Sequence, residues 1–92
     1  MLTHEIVSKL SSFYGISIYI YSRDHNPPHF HVYYGDFSAI VRISNCEVLR
    51  GEIPERVHRL VREWLSLHHG EVVKAWNRIQ KGEPIDVIEP LR

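Results

Sequence analysis

Three histidines within seven positions form the densest reactive group in this sequence of 92 residues. They stand at positions 25, 29 and 31 in the run from Arg23 to His31, beside Asp24 and a Pro-Pro dipeptide. Imidazole is the one side chain whose unperturbed pKa lies near neutral pH, so His29 and His31 could donate or accept a proton there. Proton transfer or metal binding is therefore the chemistry that this segment suggests.

The same histidines offer a metal-binding alternative. Residues two apart on a strand project from one face about 6.5 to 7 Å apart, so His29 and His31 could share an ion. Asp24 or His25 would supply a third ligand and leave a position open for water, with zinc or another divalent metal as the cofactor. Because no downstream Cys or His has a recognisable zinc spacing, the sequence favours a site without a metal.

The elements that must position these residues predict an α+β domain. Alternation of apolar and polar residues predicts three strands and a short fourth one, over residues 16–22, 29–34, 37–43 and 46–49. Gly35-Asp36 and Ser44-Asn45 are typical of short turns between such strands. Residues 13–50 should therefore form an antiparallel meander sheet of three to four strands.

The second half of the chain is predicted to be helical. Pro54 suits a first turn, and Gly70 could end the helix in a left-handed cap. A second helix would run over residues 71–80 and stop at Gly82. The apolar residues follow helical spacing in both segments: Val57, Leu60, Val61, Trp64, Leu65 and His68, then Val72, Val73, Trp76 and Ile79. Two antiparallel helices within residues 51–82 should cover one face of the sheet.

The two ends of the chain are less regular. Residues 1–12 are predicted to be an N-terminal extension or a short helix, which Thr3 would cap and which would turn three apolar residues inward: Ile6, Val7 and Leu10. Residues 83–92 form a tail that either packs as a short extended strand or awaits a partner. The whole chain, residues 1–92, is predicted to be a single domain.

Strand register predicts which side chains share each face of the sheet. If Gly35-Asp36 is the turn, Phe30 lies opposite Val41 and the face that they share is apolar. If the isoleucines of the first hairpin face inward, Ile18 lies opposite Val32. The opposite face then carries two rows of mixed chemistry: Tyr21, His29, Arg42 and Glu47, followed by Tyr19, His31, Ile40 and Leu49.

These rows predict a metal-free site for a phosphate-containing ligand. Arg42 offers a planar fork for a phosphate, and tyrosine rings can stack on a base. Catalysis is assigned to four residues: His29, His31, Arg42 and Tyr21. Ligand binding is assigned to five more: Tyr19, Arg23, Asp24, His25 and Glu47. The alternative is structural, since Arg42 with Glu47 is an ordinary ion pair and Asp24 is typical of a turn.

Composition argues against several classes of protein. Eleven basic and eleven acidic residues give a formal net charge of zero, which disfavours bulk attraction to DNA or membranes. No apolar run approaches the roughly 18 residues of a membrane span. Cys46 is the only cysteine, so an internal disulfide is excluded. With no secretory signal at the start of the sequence, we expect a cytoplasmic protein.

Several motifs together resemble one small bacterial family. They are Phe13-Tyr14-Gly15-Ile16, the run from Asp24 to His31, Gly51-Glu52-Ile53-Pro54 and Ile88-Glu89-Pro90-Leu91. From about residue 13 to its C-terminus the chain resembles the domain-of-unknown-function 4160 family. The resemblance implies a bacterial protein encoded beside a partner of the domain-of-unknown-function 2442 family, with this chain as the toxin of a toxin-antitoxin-type pair. It supplies no catalytic residues.

The leading expectation is a toxin-like component whose His/Tyr/Arg face acts on or binds a phosphate-containing ligand, with RNA as the candidate. The first alternative is a non-enzymatic regulatory module whose histidine face docks the partner protein or operator DNA. The second is a metal-dependent hydrolase that uses His25, His29 and His31.

Overall fold

A five-stranded antiparallel sheet and one long helix make up the fold in the computed structural model, which describes residues 5–92. Each strand is hydrogen-bonded to the next one along the chain, so the order across the sheet is the order in the sequence. The elements are β1 (Val7–Phe13), β2 (Ile16–Tyr21), β3 (His29–Tyr34), β4 (Phe37–Arg42), β5 (Val48–Glu52) and α1 (Glu55–Gln80). The predicted α+β class and the antiparallel meander are confirmed, whereas the numbers of strands and helices differ.

Strand β1 occupies the segment that was predicted to be an N-terminal extension or a short helix. It pairs with β2 along its length, with Lys9 opposite Tyr19 and Phe13 opposite Ile16. A bulge at Leu10 shifts the register, so that Leu10 and Ser11 are both buried although they are neighbours. An extra residue of this kind breaks the period-two pattern of a strand, so the spacing of the apolar residues in this segment resembles that of a helix. The proposed cap, Thr3, lies outside the described residues.

One helix with a kink in the middle replaces the two separate helices that were predicted. Helix α1 bends at His68, which has non-helical angles of φ −126° and ψ 22°, and then continues. The interruption thus falls two residues before Gly70, which lies in the helical segment that follows instead of capping the first one. The buried stripe runs through the bend: Val57, Val61, Trp64, Leu65, Val72, Ala75, Trp76 and Ile79. Val73, predicted to face inward, is exposed.

The fourth predicted strand is shifted towards the C-terminus. Val41 lies opposite Val48 as expected, but Ile40 lies opposite Arg50 and not opposite Leu49. Leu49 is the extra residue of a bulge that separates these two pairs. Gly51 continues the strand with a φ of +78° and sits so close to β4 that a Cβ would lie 2.2 Å from the Ser38 carbonyl oxygen. Arg50 therefore takes the place opposite Ile40 that was predicted for Leu49 in the second row of mixed side chains.

The core lies between one sheet face and the helix. The predicted pairs Phe30–Val41 and Ile18–Val32 are present, and all four side chains are buried. Trp64 of α1 fills the centre, with its ring 6.0 Å from the ring of Phe30. The other face of the sheet, which carries Tyr19, His31 and Tyr33, is called the outer face below. Because α1 packs on the apolar face of the sheet, it does not cover the outer face.

The C-terminal tail packs without forming a strand. The backbone N–H of Ile88 donates a hydrogen bond of 2.7 Å to the carbonyl of Leu10 at the β1 bulge. Ile88 and Leu91 are buried, so the tail is part of the core. The tail therefore packs against the rest of the chain, but it does not form the short extended strand that was one of the two alternatives. Within residues 5–92, no helix has the length and apolar character needed to cross a bilayer.

Candidate functional site

Asp24, His29 and His31 meet at the end of the outer face. Strand β3 directs both imidazoles to one side because they are two residues apart. The loop after β2 brings the Asp24 carboxylate between them: its Oδ2 lies 2.8 Å from Nε2 of His31 and 3.0 Å from Nε2 of His29. These three atoms all lie within 4.8 Å of one another. The side chains retain 11 to 23% exposure, so the cluster is reachable from solvent.

The loop also fixes the orientation of His29. Its Nδ1 lies 2.7 Å from the carbonyl oxygen of Pro27, and a carbonyl can only accept, so this nitrogen carries the hydrogen. The Asn26–Pro27 peptide bond is cis. On its other side the His29 ring lies 5.4 Å from the ring of Trp76 in the second half of α1. His29 is therefore a buried, oriented imidazole whose free nitrogen is aimed at Asp24.

A row of aromatic rings crosses the outer face from this cluster. The Tyr21 ring lies 4.2 Å from His31, and Tyr33 is stacked parallel to His31 at 6.5 Å. Tyr19 meets Tyr33 edge to face at 5.7 Å, and the ammonium group of Lys9 lies 6.0 Å over the Tyr19 ring. We call these four rings, Tyr19, Tyr33, His31 and Tyr21, the aromatic row. It presents half-buried rings beside the histidine–aspartate cluster.

The hydroxyl groups of Tyr21 and Tyr33 share a hydrogen bond of 2.6 Å. Burial and this bond raise the pKa of Tyr21 to about 12. Near neutral pH the Tyr21 hydroxyl consequently keeps its proton, so it can donate a hydrogen bond or a proton and does not act as a base.

Two arginines flank the row. Arg42 lies opposite His29 across the strands, and its guanidinium donates to Glu47 Oε1 at 2.9 Å. Arg50 is brought to the outer face by the β5 bulge, where it lines a shallow cavity of about 170 Å³ with His31 and Tyr33. Arg42 is therefore already paired, whereas the Arg50 cavity adjoins the aromatic row directly.

The structure brings most of the predicted site residues to one region. His29, His31, Tyr21 and Asp24 are in direct contact, Tyr19 joins them through Tyr33, and Arg42 with Glu47 adjoins His29. Arg23 and His25 are exposed in the loop. His25 is not part of the three-residue group that could hold a metal ion.

Sequence reasoning missed three neighbours: Tyr33, Arg50 and Trp76. Tyr33 had a signal, since it is two residues after His31 on the same strand. Arg50 had no such signal, because the bulge that turns it to the outer face cannot be predicted from the alternation of apolar and polar residues. Trp76 was interpreted as core, and its contact with His29 depends on the path of α1 past the bend.

Comparison with known proteins identifies a family but no characterised relative. No curated protein and no solved structure matches the chain. The DUF4160 family model, described as a domain of unknown function, matches residues 15–77. The match spans β2, β3, β4, β5 and most of α1, and thus every residue of the histidine–aspartate cluster and the aromatic row. The chain therefore belongs to the domain-of-unknown-function 4160 family.

Proposed function

We propose that this chain is the toxin-type member of a bacterial two-protein module and that its outer face binds single-stranded RNA. The observation that carries the RNA proposal is the aromatic row, which ends at the cluster of Asp24, His29 and His31. Exposed rings on a sheet can stack on unpaired bases, and each stacked base contributes about 1 to 3 kcal/mol to binding. A duplex would hide its bases from such a surface.

Local charge supports a nucleic-acid ligand even though the net charge is zero. Lys9 lies at one end of the aromatic row and Arg50 lines the cavity beside it. Cations at these positions can follow the phosphate backbone while the rings hold the bases. With so few cations in contact, we expect a shallow dependence of affinity on salt, unlike that of a strongly basic protein.

The direct test is binding of a labelled single-stranded RNA of mixed sequence to the purified protein. Tyr33→Ala removes the central ring of the row and should weaken binding roughly 5- to 150-fold, the equivalent of one lost stack. Tyr33→Phe keeps the ring and should bind nearly as tightly as the wild type. Tyr14→Ala is the matched control, because Tyr14 is exposed in the β1–β2 turn outside the row. Equal binding by Tyr33→Ala and Tyr14→Ala would reject the stacking surface.

The toxin role is tested separately in cells. Induced expression of the chain should slow growth, and co-expression of its neighbour of the domain-of-unknown-function 2442 type should restore it. Tyr33→Ala should lose the growth effect while remaining folded. Undisturbed growth on induction of the wild type would reject the toxin role, and the RNA-binding assay would still decide the nature of the surface.

A further inference from the structure

We infer that Asp24, His29 and His31 form a binding site for a first-row divalent metal ion. The three donor atoms are Asp24 Oδ2 and the two Nε2 atoms, which already converge on one point at the edge of the aromatic row. Metal binding does not depend on the proposed function. The use of the metal to hold an RNA phosphate does rest on it.

The position of the ring hydrogen on His29 supports a cation between this residue and Asp24. Its Nδ1 hydrogen is committed to the Pro27 carbonyl, so a neutral ring presents a lone pair at Nε2. That lone pair lies 3.0 Å from Asp24 Oδ2, a carboxylate oxygen that has no hydrogen to give. Two acceptors at this distance repel each other unless a proton or a metal ion lies between them. A metal ion supplies the charge and uses both lone pairs.

The two Asp24 distances are close to those around a metal ion, whereas the ligand nitrogens of His29 and His31, which lie within 4.8 Å of each other, must move closer together to share one. With metal–ligand distances of about 2.0 to 2.2 Å, neighbouring ligand atoms are about 3.0 Å apart in octahedral and about 3.4 Å apart in tetrahedral geometry. The two Asp24 contacts of 2.8 and 3.0 Å therefore need to open by only a few tenths of an ångström. Both histidines are on one strand and contact Tyr21 and Trp76, so the strand and these rings set their approximate positions before binding.

The surroundings resemble those of protein metal sites. A histidine ligand normally donates its second ring N–H to a carbonyl or carboxylate, and His29 does so to Pro27. Two imidazoles and one carboxylate favour zinc, manganese or iron over magnesium or calcium. Since the protein offers three ligands, positions remain for water or a phosphate oxygen on the solvent side. An RNA strand on the aromatic row would place a phosphate there.

The test uses the full chain, dialysed against a chelator and then titrated with zinc chloride or manganese chloride alone. We expect one equivalent to bind to the wild type with a rise in the melting temperature. Asp24→Asn and His31→Gln should each weaken binding by more than about 100-fold, since they remove ligands and not merely their supports. His25→Gln, at an exposed histidine of the same loop, should bind like the wild type. No stoichiometric binding, or unchanged binding by Asp24→Asn, would overturn the site.

A second measurement covers variants that fail to fold. In nitrogen-15 NMR spectra of wild-type protein, zinc should shift the ring resonances of His29 and His31 and leave those of His25 in place. Shifts at His25, or at neither member of the pair, would contradict the assignment. RNA binding is measured separately in chelator, so that the two proposals can fail independently. RNA binding together with no stoichiometric metal binding rejects only the metal site. One bound zinc ion with no RNA affinity rejects only the proposed function.

Discussion

The indole nitrogen of Trp64 donates a hydrogen bond of 2.9 Å to the backbone carbonyl of Glu89, which fastens the C-terminal tail to the middle of α1. Trp64 is fully buried, and its ring lies 5.8 Å from that of Phe13. Trp64→Phe should lower the free energy of unfolding by about 1 to 3 kcal/mol, because it removes this bond and leaves unfilled volume. Urea-induced unfolding followed by circular dichroism measures the change.

The control for Trp64→Phe is Leu67→Ala on the same helix. Leu67 is 66% exposed, so its truncation should change the free energy of unfolding by no more than about 0.5 kcal/mol. If the two variants are equally stable, the tail is not held by Trp64. Proteolysis provides a second comparison, since a released tail should be cleaved faster in Trp64→Phe than in Leu67→Ala.

Gly51→Ala tests the close approach of β5 to β4. The new Cβ would lie 2.2 Å from the Ser38 carbonyl oxygen, and the φ of +78° is unfavourable for alanine. Both effects destabilise, so the free energy of unfolding should fall by about 2 to 5 kcal/mol. Gly35→Ala is the matched control, because Gly35 has a φ of +54° but no atom within 4 Å of the added Cβ.

The control isolates the steric part of the effect. Gly35→Ala should lower the free energy of unfolding by only about 1 to 2 kcal/mol, the cost of placing alanine in a left-handed backbone conformation. Thermal and urea unfolding of both variants give the difference between them. A cost for Gly51→Ala no larger than that for Gly35→Ala would show that β5 can move away from β4, and that the Arg50 position is not fixed by this contact.

Strand alternation was sufficient to predict the central hairpin and its two faces. The register of β3 with β4 follows from one short turn and from apolar residues at every second position, so Phe30 and Val41 could be paired in advance. The face carrying His29, His31 and Tyr21 followed from the same argument. These residues lie on regular strands, where position in the sequence determines the side on which a side chain lies.

The features that could not be predicted are the irregular ones. The bulges at Leu10 and Leu49 each add a residue without a distinctive sequence pattern. Because of them, neither strand β1 nor the position of Arg50 on the outer face could be predicted. The kink in α1 falls at His68, where two helical segments meet, and not at Gly70, where the sequence predicted the end of a helix. The approach of Asp24 to both histidines depends on the path of the loop after β2, which no periodicity describes.

Cys46 should be protected from thiol reagents in the folded protein. Its side chain is 3% exposed, and burial raises the pKa of the thiol, which lowers the fraction of reactive thiolate. Reaction with a chromogenic disulfide should therefore be at least about tenfold slower in buffer than in urea at the same pH. Because the chain has one cysteine, the signal has a single source. Equal rates in buffer and in urea would contradict the buried position.

Stability above pH 10 should depend on Tyr21. Its folded pKa of about 12 exceeds the ordinary value of 10.0, so between these values the unfolded chain loses a proton that the folded chain retains. The free energy of unfolding should consequently fall as pH rises from about 10 to 12, and the contribution should be complete below pH 10. Urea unfolding at several alkaline pH values measures this slope.

The matched variants for this pH dependence are Tyr21→Phe and Tyr14→Phe. Tyr21→Phe should unfold with a smaller alkaline slope and should lose the tyrosinate absorbance change near pH 12, because the phenol that titrates there is gone. Tyr14→Phe, at an exposed position in the turn, should keep both. If Tyr21→Phe retains the transition near pH 12, the phenol that is buried and bonded to Tyr33 is not the group that titrates there.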